Sequence, residues 1–517
     1  MKQITKLLSI VTSLALILGL FTVISSAAEY EDEIAIVLSD SSITVDGEEV
    51  TNDDTQAVYI SNDIIYYEDK DYYDSGNTYG EGDDDDKHTE EEAAAHTVVN
   101  ITEAGTYRIS GTLSLGQIAV DLGDDAKTDP DAVVTLILDG ADITCTVAPA
   151  VIFYSVYECD TDWVAYDEGE TEEYTASETQ DTSSAGANVI IADGSVNTIT
   201  GSHVAKIYKD NDQSKKLYKF DAAFYSKMSM NVNGEEEGDG VLNIIADNEG
   251  LDSELHLTIN GGKINIQSQD DGINTNEDGV SVTTINGGSL HIVAGLGSEG
   301  DGIDSNGYLV INGGTVIAIA NPASDAGLDS DSGSYINGGY VVATGSTMDW
   351  ADSDSAQVTM NLQFASAQSA DEAIIVTTTD GTVIFAYDPD QDETTGSYNR
   401  SYQGAVISCP ELQQGETYYV YVGGDVEGTD VDGLYDASTV TGFSGATRQI
   451  YTGSDVGMTG GMNMGGGMGN MSDMGEAPDN MGEMGEQGEQ PEMPEETEGE
   501  MTIPEGAEDM SQPDMSE

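Results

Sequence analysis

The chain alternates apolar and polar residues in short bursts, and it almost nowhere shows the spacing of an amphipathic helix. TYRISGTL, VVTLILDG and LHLTINGG are such bursts, separated from the next by glycine, asparagine or aspartate. A period of two sends alternate side chains to opposite faces of a strand, and Gly, Asn and Asp are what tight turns require. The pattern therefore predicts strands joined by tight turns; only EEEAAAH at 90–96 has helix-forming content, and it is short.

A longer period lies over the short one. The tripeptide NGG recurs at Asn260, Asn286, Asn312 and Asn337, spaced by 26, 26 and 25 residues. Ile259, Ile285, Ile311 and Ile336 precede the four copies, and Ile264, Leu290, Val316 and Val341 follow them in one column. A second element, out of phase, reads EGLDSE (249–254), DGINTN (271–276), DGIDSN (301–306) and AGLDSD (326–331). Its glycine leads NGG by 10 residues in three copies and by 14 in one, so one repeat carries an insertion. Repeats of this length with several short strands and no helix predict an all-β parallel β-helix, one coil per repeat, stacked at about 4.8 Å. Ile and Leu columns would fill its interior, and the four asparagines would form an amide ladder at one corner. The nine-residue calcium β-roll is excluded, because its GGxGxDxUx repeat does not occur.

The rest of the chain divides around these coils. Residues 1–28 carry Lys2 and Lys6, an apolar run from Leu7 and small residues to Ala28, the order of a secretory signal peptide. Residues 29–95 begin strand-like and end in GEGDDDDKHTEEE, read as a flexible acidic linker. The coils occupy 96–347, looser up to 246, with an acidic stretch at 158–186 that lacks strand pattern and reads as an excursion from the wall. After Met348 the long period stops while alternation continues, so 348–455 is expected to be a β-rich cap over the open end. The Met/Gly-rich, then Glu/Pro-rich residues 456–517 hold no Lys or Arg and are expected to be disordered. No second apolar run is long enough to span a bilayer, so the mature chain is expected to be extracellular, released or held at the surface by other means.

Charge narrows the partners. With 97 acidic residues against 15 Lys and Arg, the net charge is −82, and −84 once the two leader lysines are removed. Such a chain repels nucleic acid and anionic membrane and attracts divalent cations. Its 3 cysteines are too few for a disulfide framework; a Cys145–Cys159 bridge and three buried thiols are both open.

Strand alternation then aligns oxygen-bearing side chains. With Leu251, Ile273, Ile303 and Leu328 inward, Asp252, Asn274, Asp304 and Asp329 form one outward column, and Glu254, Asn276, Asn306 and Asp331 a second. Asp271 and Asp301 open two of the copies. Calcium takes oxygens at about 2.3–2.6 Å, so ligands on adjacent coils can share an ion and lose their mutual repulsion. Solvated Asx turns would use the same residues. An EF-hand is excluded, since Ile285 stands where the closing glutamate is needed. Lysines cluster at Lys206, Lys209, Lys215, Lys216, Lys219 and Lys227, interleaved with Tyr208, Tyr218 and Tyr225. Lys206, Lys209, Tyr225 and Lys227, with Lys263, are candidate contacts to an acidic glycan; alternatively the lysines pair with the 158–186 excursion.

The segments ITEAGTYRISGTLSLGQIAVD, LILDGADI, DAAFYSKMSMNVNG, the DG…NGG coils, DGTVIFAY and GETYYVYVGG, in this order over residues 96–455, resemble the bacterial carbohydrate-binding domain family built on a clostridial cellulose- and polygalacturonate-binding β-helix protein. The resemblance implies a secreted right-handed parallel β-helix similar to pectate lyases, carrying calcium and binding plant polysaccharide, acidic or neutral. The acidic excursion and the long N-terminal region depart from it. A lyase would need calcium and an Arg or Lys base. Among so many carboxylates a lysine such as Lys227 or Lys263 should have a raised pKa, which disfavours that role. The reading is therefore a monomeric, non-catalytic, calcium-dependent binder of polygalacturonate (pectin), with cellulose as a further ligand. A pectate lyase and a calcium-stiffened surface adhesin or scaffold are the alternatives.

Overall fold

The computed structural model describes residues 33–68, 79–82, 85–171, 173–208, 216–346, 349–389, 400–452 and 457–461. The expected leader at 1–28, Lys209, Lys215 and residues 462–517 of the expected tail lie outside these. The fold is all-β; the described residues form two short α-helices, Glu90–Ala94 and Thr161–Asp167. The first sits in the expected acidic linker, where a capping box between Thr89 and Glu92 starts it. No helix among the described residues is long and apolar enough to cross a membrane.

Each repeat supplies a strand to three parallel ladders. One runs through Ala222–Ser226, Glu249–Ser253, Ile273–Thr275, Ile303–Ser305 and Leu328–Ser330. The second runs through Ala187–Ile191, Met230–Gly234, His256–Ile259, Val282–Ile285, Tyr308–Ile311 and Gly333–Ile336. The third contains Val196–Gly201, Val241–Ala246, Lys263–Ser268, Ser289–Val293, Thr315–Ile319 and Tyr340–Gly345. Between the ladders lies one apolar core: Phe224, Leu251, Ile273 and Ile303 from the first, Leu257 and Ile285 from the second, and Ile264 and Leu290 from the third are all 0% exposed.

NGG makes the corner between the second and third ladders. Its second glycine takes φ of +88°, +88°, +84° and +91° at Gly262, Gly288, Gly314 and Gly339, a region that L side chains rarely enter. A Cβ on its first glycine at Gly287 would stand 2.9 Å from the Asn260 carbonyl oxygen. The asparagines form the expected ladder: Asn286, Asn312 and Asn337 each donate through Nδ2 to Oδ1 of the preceding copy at 2.9 Å, and Asn260 donates likewise to Asn233.

The parallel pairing ends at Tyr340–Gly345, which pairs antiparallel with Tyr402–Ser408, itself antiparallel to Thr359–Gln368. An antiparallel sheet around Ile374–Thr378, Val383–Tyr387 and Thr417–Val422 follows. Gly457–Gly461, expected to be part of the disordered tail, instead forms a strand parallel to Thr359–Gln368, where the open backbone edge offers it partners.

The 158–186 excursion is not structureless. Asp160 caps the helix Thr161–Asp167 by accepting from the Trp163 N–H at 2.9 Å, and it also accepts from the Tyr174 hydroxyl at 2.6 Å. His256 in the second ladder lies 3.2 Å from the same carboxylate. Since His256 Nδ1 accepts from the Val282 N–H, its proton sits on Nε2 and donates to Asp160. Burial works against the Asp160 charge, but these hydrogen bonds outweigh it and hold its pKa down to about 2. Buried Glu158 accepts from both the backbone and the hydroxyl of Ser229, so the excursion is pinned to the wall at its start as well. The three cysteines are free, Cys145 and Cys409 buried and Cys159 half-buried.

Candidate metal centre

Parallel register does what the alternation requires: Tyr225, Asp252, Asn274, Asp304 and Asp329 stand opposite one another on successive strands. The column faces away from the apolar core, yet its first members are not solvated. Asp252 is 0% exposed and Asn274 is 6% exposed. Around them Asp221, Glu249 and Asp252 place carboxylate oxygens within 4.8 Å of one another.

The cluster's polar valences are only partly filled. Asn276 Nδ2 donates to both Asp252 oxygens at 2.9 and 2.8 Å. Asn274 Nδ2 donates to Glu249 Oε1 at 3.2 Å, which leaves Glu249 Oε2 and Asn274 Oδ1 buried without a hydrogen bond. The Lys219 ammonium contacts Asp221. Burial opposes the Lys219 charge, but Asp221 and Glu249 outweigh it and raise its pKa. The Tyr225 hydroxyl donates to Glu254, whose oxygens also accept from Lys216 Nζ at 2.9 Å.

Burial, and then the neighbouring carboxylates, push the pKa values of Glu249 and Asp252 well above the usual carboxylate range. Two carboxylates one strand spacing apart repel by about 3 kcal/mol at an effective dielectric of 20. Three carboxylates less one ammonium leave two negative charges, which a single divalent cation cancels. Oxygens across one calcium lie about 4.6–5.2 Å apart, so the separation of Asp221, Glu249 and Asp252 suits a hard cation with all-oxygen ligands. Glu249 Oε2 and Asn274 Oδ1 are the oxygens left to fill its shell.

A second group lies one strand further along. Asp271 accepts from the Asp301 N–H at 2.6 Å, and Asp301 accepts from the Ala326 N–H at 2.5 Å. Burial first, then like charges, hold Asp301 and Asp304 at about 7 and Asp270 and Asp329 at about 6, and push Asp271 well above the usual carboxylate range. Asp349 lies beside Asp329 and accepts from the Ser330 N–H at 3.3 Å. Asn306 donates to the Asn276 carbonyl at 3.1 Å, and Asp331 is exposed at the edge of the column.

The lysines and tyrosines distribute differently from expectation. Tyr225, expected to stack on a sugar, is 0% exposed and forms a wall of the carboxylate cluster. Among the described residues the clustered lysines find other partners than the excursion: Lys216 meets Glu254, Lys219 meets Asp221, and Lys206 meets Glu81 at 3.6 Å with its ammonium over the Tyr208 ring. Lys227 is half-buried next to the first ladder, whereas Lys263 is exposed on the third, so these two stand on different ladders. Asp221 and Glu249 are the members that the alternation did not single out. Their signal was their position: Asp221 opens DAAFYSK, and Glu249 opens EGLDSE.

A model of the carbohydrate-binding domain-containing protein family matches residues 95–187 and 172–391, and the chain belongs to that family. Among solved structures, the polysaccharide lyase-like protein from C. thermocellum, as a gadolinium derivative, aligns with 60% of this chain and 93% of its own at 20% identity and a TM-score of 0.33. No curated protein matches.

Proposed function

We propose that the chain is a secreted, non-catalytic, calcium-dependent binder of plant cell-wall polysaccharide, polygalacturonate foremost, built as a right-handed parallel β-helix. Family membership supports the carbohydrate, and the three parallel ladders support the solenoid. The observation that carries the calcium is the pair of unpartnered oxygens, Glu249 Oε2 and Asn274 Oδ1, buried beside Asp221 and Asp252. Leaving such atoms unsatisfied costs about 1–3 kcal/mol each, more for a charged group, and a cation removes that penalty.

Two roles separate by burial. Asp221, Glu249, Asp252 and Asn274 would hold calcium as an internal staple between strands. Asp301, Asp304 and Asp329 are only partly buried and would hold it where a uronate can approach. When bound there, calcium supplies the positive charge through which a chain of this acidity can meet a polyanion.

Lys219 is the lysine that stands next to the buried carboxylates, and its raised pKa keeps it protonated, which disfavours proton abstraction. Retention on immobilised polygalacturonate, measured with calcium and then with excess chelator, tests the reading, with circular dichroism as a check on the fold. Binding that disappears in chelator while the fold persists is expected. Unchanged retention in chelator overturns the calcium bridge, and release of unsaturated, ultraviolet-absorbing product would make the protein a lyase.

A further inference from the structure

A groove of about 430 Å³ runs along the second ladder, away from the carboxylate column. One side is the end of the excursion, Gln180 to Ser183; the other is the outer face of the ladder, from Asn188 and Asn231 to Thr258, Thr284 and the Asn260 and Asn286 amides. Among these lining residues only Asp181 is charged, and its carboxylate is turned to the Ser183 N–H at 3.0 Å. The lining is otherwise amide and hydroxyl, unlike anything in the carboxylate cluster.

Those groups are already fixed. The Thr182 hydroxyl lies 2.7 Å from both Asn231 Oδ1 and the Thr258 hydroxyl, and Asn231 Nδ2 returns a bond to the Thr182 carbonyl at 2.8 Å. Thr182, Asn231 and Thr258 are 4%, 5% and 6% exposed. Asn260 and Asn286 each spend one N–H and one lone pair in the amide ladder. An amide has two of each, so one donor and one acceptor remain at each step, held in a set orientation with little rotamer freedom left to lose. Sugar hydroxyls both donate and accept, and the rung spacing of about 4.8 Å is close to the length of one pyranose residue. Further along the same face Thr284 stands opposite Val310 and Val310 opposite Tyr335, whose half-buried ring lies 6.2 Å from that of Tyr308. Such rings offer an apolar face to a sugar.

We infer that this groove is a second polysaccharide subsite, for an uncharged, hydroxyl-rich chain, and that it works without metal. The inference rests on the reading that the protein binds polysaccharide, but on different residues. Ligands of either charge fit poorly: among the described residues the lining holds no cation to receive a carboxylate, and the nearby carboxylates, Asp181 and, beside Tyr335, Glu178, are already engaged.

The test uses the full chain in affinity electrophoresis against a soluble cellulose ether, with chelator present, and against polygalacturonate with calcium. The variants are Asn260→Ala/Asn286→Ala, which removes exposed amides, and Thr284→Trp, which fills the groove and leaves the ladder intact. Wild type should bind the neutral glucan in chelator, and both variants should bind it at least about tenfold more weakly, with polygalacturonate binding unchanged. Neutral-glucan binding that is absent from wild type, or preserved in Thr284→Trp, overturns the subsite. Loss of polygalacturonate binding alone counts against the calcium reading and leaves the groove standing.

Discussion

In chelator the protein's stability should fall as pH rises, the reverse of what carboxylates with lowered folded pKa values would give. Asp301 and Asp304 are each held at about 7 in the folded protein, against an ordinary 3.8. Between those values the folded state keeps protons that the unfolded chain has released. Stability therefore decreases with pH across that interval and levels off once the folded groups have ionised. A shift of about 3 units corresponds to about 4 kcal/mol for one aspartate. The two share neighbours and do not add in full, so the loss lies at about 4–8 kcal/mol. For a unit of this size about 4 kcal/mol is a fall of at least about 5 °C in Tm. Calorimetric scans in chelator from about pH 4 to about pH 8 should show that fall, and excess calcium should flatten the upper half of the curve. A metal-free Tm that stays level or rises across the window would refute the claim that these carboxylates are crowded and desolvated.

Lys219→Met removes the countercharge at Asp221: calcium affinity should rise by about tenfold or more, while the metal-free protein loses stability, both read by titration calorimetry and thermal scans. Leu251→Ala empties a fully buried position between Phe224 and Ile273 and should cost about 2–5 kcal/mol in denaturant unfolding. Asn312→Ala breaks two exposed ladder bonds and should cost only about 1 kcal/mol by the same assay, because water replaces them.

The long period and the strand alternation made much of this arrangement legible. Asp252, Asn274, Asp304 and Asp329 fall in one column because a two-residue alternation and a repeat of about 25 residues together fix both face and register. The asparagine ladder follows from the same two facts. Asp221 did not emerge because it lies before the four aligned copies, and Glu249 did not although it shares the opening position of Asp271 and Asp301. Glu249 comes just before the glycine of its element, and Asp221 precedes a strand of the previous repeat, where residues 202–219 interrupt the period. They meet only because Ala222 pairs with Glu249 across the ladder. Tyr225 looked like a sugar-stacking ring because tyrosines and lysines alternate around it; burial against Glu254 is a property of the neighbouring rung, which local sequence does not reveal. The excursion's anchors, Asp160 to His256 and Thr182 to Asn231, join positions 96 and 49 residues apart and carry no periodic signal.

Calcium titrated calorimetrically into chelator-stripped protein, beside the variant Asp221→Asn/Glu249→Gln, tests the metal centre most directly. Wild type should take up calcium with a Tm that climbs as the site fills, and the variant should lose that binding step while folding to the same circular dichroism spectrum. Equal calcium uptake by the two proteins, or none by wild type, would contradict a calcium site at Asp221, Glu249 and Asp252.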